Sequence, residues 1–260
     1  MEPQRDLDGF GKMLMEGSLE LVMMDVATRA EQKTKTMDFE AARKALADDL
    51  YALRWGPTEV PIFNLLGLFA LIVPQRRPFY IEIADFYIKS GVPVDGRDLS
   101  GTSALSHCFS TKPALDLTYA QMLYDAGGDV NSRNRYGTIV AHEIVQVYNP
   151  SDPDVVRKST QALEWFLSHG GNMDIADTDG MTPRYLVQRL STRIPALKRL
   201  VEAEDKRRSL NSSSACACCG REEERILTCS KCKRVKYCNP NRRECQKLDW
   251  PKHKTECKAV

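Results

Sequence analysis

The amino-acid sequence predicts an all-α fold, a stack of repeated helix pairs followed by a small cysteine-rich module at the C-terminal end. Three observations predict it. Apolar residues recur at three- and four-residue steps, as in Phe39, Ala42, Leu46, Leu50 and Leu53. Two sets of glycines recur at matched offsets, Gly91, Gly127 and Gly170 against Gly101, Gly137 and Gly180, each 36 and then 43 residues apart. Eight of the nine cysteines fall between Cys216 and Cys257. A 3.6-residue period is the mark of amphipathic helices, and self-similarity at a fixed period is the mark of a repeat array.

Residues 7–55 alternate apolar clusters (Met13, Leu14, Leu19, Leu21, Val22) with charged positions, and residues 1–57 are expected to form a helical cap. At helical spacing, Met23, Met24 and Met37 are expected in its core, with an adaptable docking surface as the alternative. The longest apolar run, Ile62 to Val73, is bracketed by Pro61 and Pro74 and contains Asn64. It falls short of the ~20 residues that a membrane-spanning helix needs, so a buried helix is expected and no membrane partner. The first residues are acidic and polar, unlike a signal peptide, and secretion is not expected.

Residues 58–203 carry the repeats. Phe86–Asp95, Met122–Asn131 and Trp165–Asp174 each run from a helix through Gly to Val or Met and then Asp or Asn. Each is followed by Asp or Asn, two residues, Gly: Asp98 with Gly101, Asn134 with Gly137, Asp177 with Gly180. Glycine stops a helix by adopting the left-handed conformation, and Asp/Asn-x-x-Gly makes a tight turn into the next helix. These units resemble the ankyrin repeat, whose turn carries D-x-x-G-x-T-P-L-H and whose second helix ends L-L-x-x-G-A-x-x-N. The match is best at Asp177–Pro183 and Leu123–Asn131. Ser103-Ala104 and Ile139-Val140 replace the Thr-Pro pair, and Thr58–Phe63 is a weaker first unit. Tyr148–Pro153 has the composition of a loop inserted before the last unit. The resemblance implies a short stack of helix pairs that presents a binding surface and carries no catalytic centre.

Residues 204–215, with one large apolar side chain (Leu210), are expected to be a mobile linker. The last segment then reads Cys216-x2-Cys219, Cys229-x2-Cys232, Cys238-x6-Cys245 and His253-x3-Cys257. Eight sulfur or imidazole donors in four close pairs suit two tetrahedral zinc ions, since a closed structural site takes four such ligands. Two full sets leave no open position for the water of a catalytic zinc. So small a segment lacks an apolar core, and a structural zinc is worth about 10–16 kcal/mol to its folding at neutral pH. Cys218 is left over, and is expected to face solvent or to tune a neighbouring thiolate.

Residues 216–257 resemble the MYND-type zinc finger, on Lys236-Tyr237-Cys238, Cys245-Gln246, Asp249–Lys254 and the terminal Cys257. The resemblance implies interleaved ligand pairs: Cys216, Cys219, Cys238 and Cys245 on one zinc, and Cys229, Cys232, His253 and Cys257 on the other. It also implies that Gln246 and Trp250, with Ser230 less strongly indicated, receive proline-rich peptides; the alternative for Trp250 is to plug the small core of the finger. The third pair departs from the family by having six intervening residues, Asn239–Glu244, where three are usual, and a bulged loop is expected there.

Charge separates the two parts. Residues 215–260 hold 12 Lys/Arg against 6 Asp/Glu, leaving 25 against 29 for the remainder of a chain whose net charge is +2. Seven bound thiolates and two zinc ions lower the local +6 to about +3. That modest field, with Tyr237 and Trp250 the sole aromatic pair for stacking bases, makes nucleic acid the second reading and a zinc-binding protein-interaction adaptor the first. An enzyme is not expected: a thiol centre of Cys108 with His107 or His142 is the one candidate, and His142 holds a turn position that braces backbone. The expected location is nuclear or cytoplasmic.

Overall fold

The structure, a computed structural model, describes residues 2–110, 115–210, 214–220, 226–238 and 244–258. It divides into two compact units, Met1–Tyr136 and Gly137–Val260. In the first, α1 (Pro3–Asp6), α2 (Gly9–Glu16), α3 (Leu19–Thr34) and α4 (Phe39–Ala52) precede two helix pairs, α5 (Ile62–Ile72) with α6 (Arg77–Lys89) and α7 (Ala104–Ser110) with α8 (Leu117–Asp125). In the second, α9 (Val140–Val145) pairs with α10 (Pro153–Ser168) and α11 (Pro183–Leu190) with α12 (Pro195–Leu210); β1 (Leu227–Thr228), β2 (Lys236–Tyr237) and α13 (Glu244–Glu256) follow. The helices are ankyrin-like pairs, and no helix among the described residues is long and apolar enough to cross a membrane.

The N-terminal helices begin where side chains satisfy their first N–H groups. Asp8, Ser18 and Asp38 accept from Gly11, Leu21 and Ala41, the usual service of a short polar side chain at that position. Helix α4 buries Ala42, Leu46 and Leu50. Helix α3 buries only Val22 and Val26. Its stripe is narrow, so Met23 and Met24 lie outside it and are 48% and 61% exposed, with Met37 also exposed. The expectation of core packing for these methionines is therefore corrected. Trp55 anchors the cap by donating its indole N–H to Asp8 at 2.9 Å, and the Tyr80 hydroxyl donates to the Met15 carbonyl at 2.7 Å.

Within the first unit α5 is buried along most of its length. Asn64 is tolerated there because its amide donates to the Thr102 carbonyl at 3.0 Å, tying α5 to the turn before α7. Arg77 grips Asp116 through two bonds of 2.8 and 2.6 Å, and Asp116 also caps α8 by accepting from Tyr119 N–H. The buried Tyr119 hydroxyl reaches back to the Phe63 carbonyl at 2.8 Å.

The repeated turn has one construction in both units. Asp98 Oδ1 accepts the N–H groups of Ser100 and Thr102 at 2.9 Å each, and Asp177 Oδ1 accepts those of Asp179 and Met181 at 2.9 Å each. Gly101 and Gly180 close the turns with φ of 79° and 78°. At Gly101 a side chain is excluded twice over, because a Cβ would also meet the Arg135 backbone nitrogen at 3.0 Å. Helix α11 starts on Thr182, whose hydroxyl accepts from Tyr185. Helix α9 starts on Ile139, which has no such hydroxyl. There the His142 N–H donates to the Ile139 carbonyl at 3.0 Å, while the His142 ring Nδ1 accepts the Ile139 N–H at 3.1 Å and its Nε2 lies 3.0 Å from the Met181 carbonyl, bracing the next turn.

Residues 204–210, expected to be linker, are instead the final turns of α12. Leu197 and Val201 bury one stripe of this helix, and Glu204 pairs with both Arg207 and Arg208 at 2.7 and 2.6 Å. The charges that suggest a solvated segment are spent on helical three- and four-residue pairs. Residues 211–213 lie outside the described residues.

Asp98 also holds Ser100 Oγ at 2.6 Å and His107 Nε2 at 2.8 Å. Burial pushes its carboxyl up, but the hydrogen bonds from Ser100, His107 and Thr102 outweigh that and hold it below the ordinary 3.8. Its folded value being depressed, its contribution is complete above about pH 4 and is lost as pH falls through the folded value. Asp98→Ala is expected to cost about 2 kcal/mol near neutrality. Unfolding of wild type and variant across pH checks this, and the gap between them should close at acid pH.

Candidate metal centres

The C-terminal module is built on two cysteine turns of the same shape. The Cys216 turn closes with Gly220 N–H donating to the Cys216 carbonyl at 2.8 Å, and the Cys229 turn with Lys233 N–H donating to the Cys229 carbonyl at 2.9 Å. The fifth residue is left-handed in each, Gly220 at φ 71° and Lys233 at φ 53°. The antiparallel hairpin β1–β2 pairs Leu227 with Tyr237 and Thr228 with Lys236. Bonds from Cys229 N–H to the Val235 carbonyl and from Ala217 N–H to the Lys236 carbonyl, both 2.8 Å, tie each turn to it. Helix α13 is pinned from the other side, where the Tyr237 hydroxyl donates to Asp249 at 2.6 Å.

These elements bring the predicted donors together in two sets. Cys216, Cys219, Cys238 and Cys245 form one and Cys229, Cys232, His253 and Cys257 the other, with the donor atoms of each set all within 4.8 Å of one another. Zinc bonds of about 2.3 Å to sulfur and 2.0–2.1 Å to nitrogen, arranged tetrahedrally, require separations of about 3.8 Å between sulfurs and about 3.6 Å between sulfur and nitrogen. Cys229 and Cys257 sulfurs are 3.9 Å apart. His253 Nε2 lies 3.4 Å from Cys229 Sγ and 3.6 Å from Cys232 Sγ. Cys219 and Cys238 sulfurs, at 3.3 Å, are slightly tighter. The donor geometry fits two structural zinc ions, with four protein ligands for each and no carboxylate among them. The loop at 239–243, where a bulge is expected, lies outside the described residues.

The sulfurs replace a hydrophobic core. Among the described residues, the buried cluster of the module consists of seven cysteines and Tyr237, with Ile226, Val235, Cys245 and Leu248 packed against it. Backbone N–H from Cys232 and the His253 side chain bring the Cys229 thiol down to about 6, a value at which it is ready to ligate. In the first set, thiol donors from Cys219, Cys238 and Cys245 draw the Cys216 value down, while Cys238 and Cys245 are pushed up by the same neighbours. Four close sulfurs without a cation cannot all carry charge; a divalent ion removes that penalty.

Cys218 does not face solvent. It is 3% exposed, it stands outside both donor sets, and its Sγ accepts from the Asn172 side-chain amide at 3.4 Å. Gln246 and Trp250 are one turn apart on the outer side of α13 and both are exposed, Trp250 by 45%. The Trp250 ring centre is 6.0 Å from that of His253, so one edge packs on the second site while the rest is open. The thiol centre considered for Cys108 is not assembled. Its sulfhydryl is buried, directed at the Ala104 carbonyl at 3.4 Å and pushed far up by burial, whereas the His107 ring is engaged with Asp98. Asn172 and Arg208, which meet Cys218, carry no local signal in the sequence: Arg208 sits in a run of charged residues and Asn172 in a helix-ending turn.

Comparison with known proteins agrees with this geometry. Residues 216–257 match the family described as MYND finger. The segment is similar to N-lysine methyltransferase SMYD2-A of Danio rerio, 49% identical over 45 residues that make up 17% of this chain and 10% of that protein. It is likewise similar to SET domain and MYND-type zinc finger protein 6 of Schizosaccharomyces pombe, 42% identical over 52 residues, 20% of this chain and 10% of that one. The chain thus spans about a tenth of the length of these relatives. Among solved structures, an ankyrin repeat domain from Acinetobacter baumannii aligns with a TM-score of 0.45 and 18% identity over 63% of this chain and 74% of its own.

The purified chain is expected to hold two zinc ions, one for each donor set. In Cys229→Ser the content should fall below two, with loss of the C-terminal fold. Metal analysis by plasma mass spectrometry together with amide exchange checks both, and a single ion in the wild type contradicts the two-site geometry.

Proposed function

We propose that this chain is a non-enzymatic adaptor whose MYND finger docks a proline-rich peptide of one protein while its ankyrin-like helix pairs hold a second protein. The observation that carries the reading is the open face of α13. Trp250 and Gln246 share one side of the helix that supplies Cys245 and His253, and the zinc ligands leave that side uncovered. An extended proline-rich segment loses little entropy on docking, its rings pack on an indole face, and a neighbouring amide can pair with its free carbonyls. Ser230, also exposed, belongs to the same module.

Three points support a protein partner over the alternatives. Tyr237 is buried and bonded to Asp249, so of the two aromatic rings that could stack bases only Trp250 is accessible. The net charge of about +3 after zinc binding is small for a phosphate-tracking surface. The likeness to methyltransferases covers 77 residues or fewer, at most 30% of this chain, and the shared family match is the finger, so their chemistry is not carried over to this chain. Nuclear or cytoplasmic residence accords with free thiolates serving as zinc ligands.

Titration of the full chain with proline-containing peptides tests the reading. Trp250→Ala is expected to weaken the best peptide at least about tenfold, the usual scale for a buried aromatic anchor, with zinc content unchanged. Equal binding by the variant, or binding of duplex DNA that Trp250→Ala does not affect, removes the docking role.

A further inference from the structure

The two zinc sites differ in what holds them. The second is self-contained: its first two ligands lie in a turn bonded to the hairpin, His253 lies on α13 and Cys257 directly follows that helix, which Tyr237 fastens through Asp249. The first site has a different support. Its Cys216–Cys219 turn is gripped from outside the finger. Arg208, at the end of α12, donates Nη2 to the Gly171 carbonyl at 2.5 Å and Nη1 to the Cys218 carbonyl at 3.5 Å, while Glu204 holds its Nε at 2.6 Å. Arg207 reaches the Gly220 carbonyl at 3.4 Å, and Asn172 donates to Cys218 Sγ at 3.4 Å. The fit is close: a Cβ on Gly220 would lie 2.8 Å from Arg208 Nε.

We propose that Arg208 and Asn172 are positioning residues for the first zinc site: the end of α12 and the turn after α10 hold the Cys216–Cys219 turn in ligand geometry. The first site is then completed by the helix pairs and the second by the finger alone. This rests on reading the two donor sets as zinc sites. Two physical effects act together. A turn already ordered by its surroundings loses less freedom when it captures the ion. Four thiolates on one Zn²⁺ leave about −2, against about −1 for three thiolates and a neutral imidazole, so the more anionic site is the one that two guanidiniums approach. Glu204 pairs with both arginines: burial pushes its carboxyl up, but they hold it below the ordinary range.

Cobalt(II) in place of zinc tests this on the full chain, because sites of four sulfurs and of three sulfurs with one nitrogen absorb differently and are titrated separately against a competing chelator. Arg208→Ala is expected to weaken the four-sulfur site about tenfold or more, the low end of what outer partners of metal ligands contribute, and to leave the other site unchanged. Asn172→Asp, which keeps an oxygen for the Asp174 N–H at 2.8 Å but loses the donor to Cys218, should shift the same site in the same direction. It lies outside any helix, so it carries the test if Arg208→Ala lowers helix content. An unchanged four-sulfur site in both variants, or equal weakening of both sites, overturns the proposal. Fewer than two ions on the wild-type chain would remove the two-site reading, and this proposal with it.

Discussion

Helices as short as α9 and α11 bury apolar stripes only if the chain can enter each of them without leaving backbone groups unpaired. In this protein a carboxylate does that work. Asp98 and Asp177 each take two N–H groups of the turn they open, and a left-handed glycine three residues on completes it. In the second turn Asn134 Oδ1 accepts the Tyr136 N–H at 2.9 Å, and past it the His142 ring bonds both Ile139 and the Met181 turn. The same constraint therefore accounts for the recurring Asp/Asn-x-x-Gly and for the buried histidine of α9. Remove the turn chemistry and each pair must bury unsatisfied amides, which costs more than its small apolar stripe returns.

The finger meets the same problem with other means. Its interior is cysteine sulfur around a single buried tyrosine, and sulfurs in contact are stable as an interior only when a cation binds them. The two sites then take different support from their surroundings. The second draws on the hairpin and α13, while the first also leans on α12 and the turn after α10. Arg184 serves the same region by bridging Asp174 and Asp205 at 2.6 Å each, tying the turn after α10 to α12. Gln246 and Trp250 are exposed on α13.

Much of this was legible in the residues. The helix pairs followed from glycine offsets and the metal donors from cysteine spacing, because turn chemistry and chelate geometry act over a few residues. The misreadings share a cause. Met23 and Met24 have helical spacing, but periodicity does not tell how wide the buried stripe of α3 is. Residues 204–210 look like a linker because their charges are counted as solvated, although Glu204 and the two arginines pair along a helix. Cys218 looks spare because the partner that buries it, Asn172, is 46 residues away.

The sequence by itself determined the class of structure: helical repeats closed by Asp/Asn-x-x-Gly turns, and eight thiol and imidazole donors in four pairs at zinc-binding spacing. Those features depend on neighbours within one turn or one chelate loop. The tertiary structure brings the four pairs into the two donor sets that the resemblance implies, and it alone decided that the chain before the finger stays helical to Leu210 and that Arg208 and Asn172 close on the Cys216–Cys219 turn. Each of these depends on groups distant in the chain that meet only after the helices have packed, and no spacing along the chain encodes such a meeting.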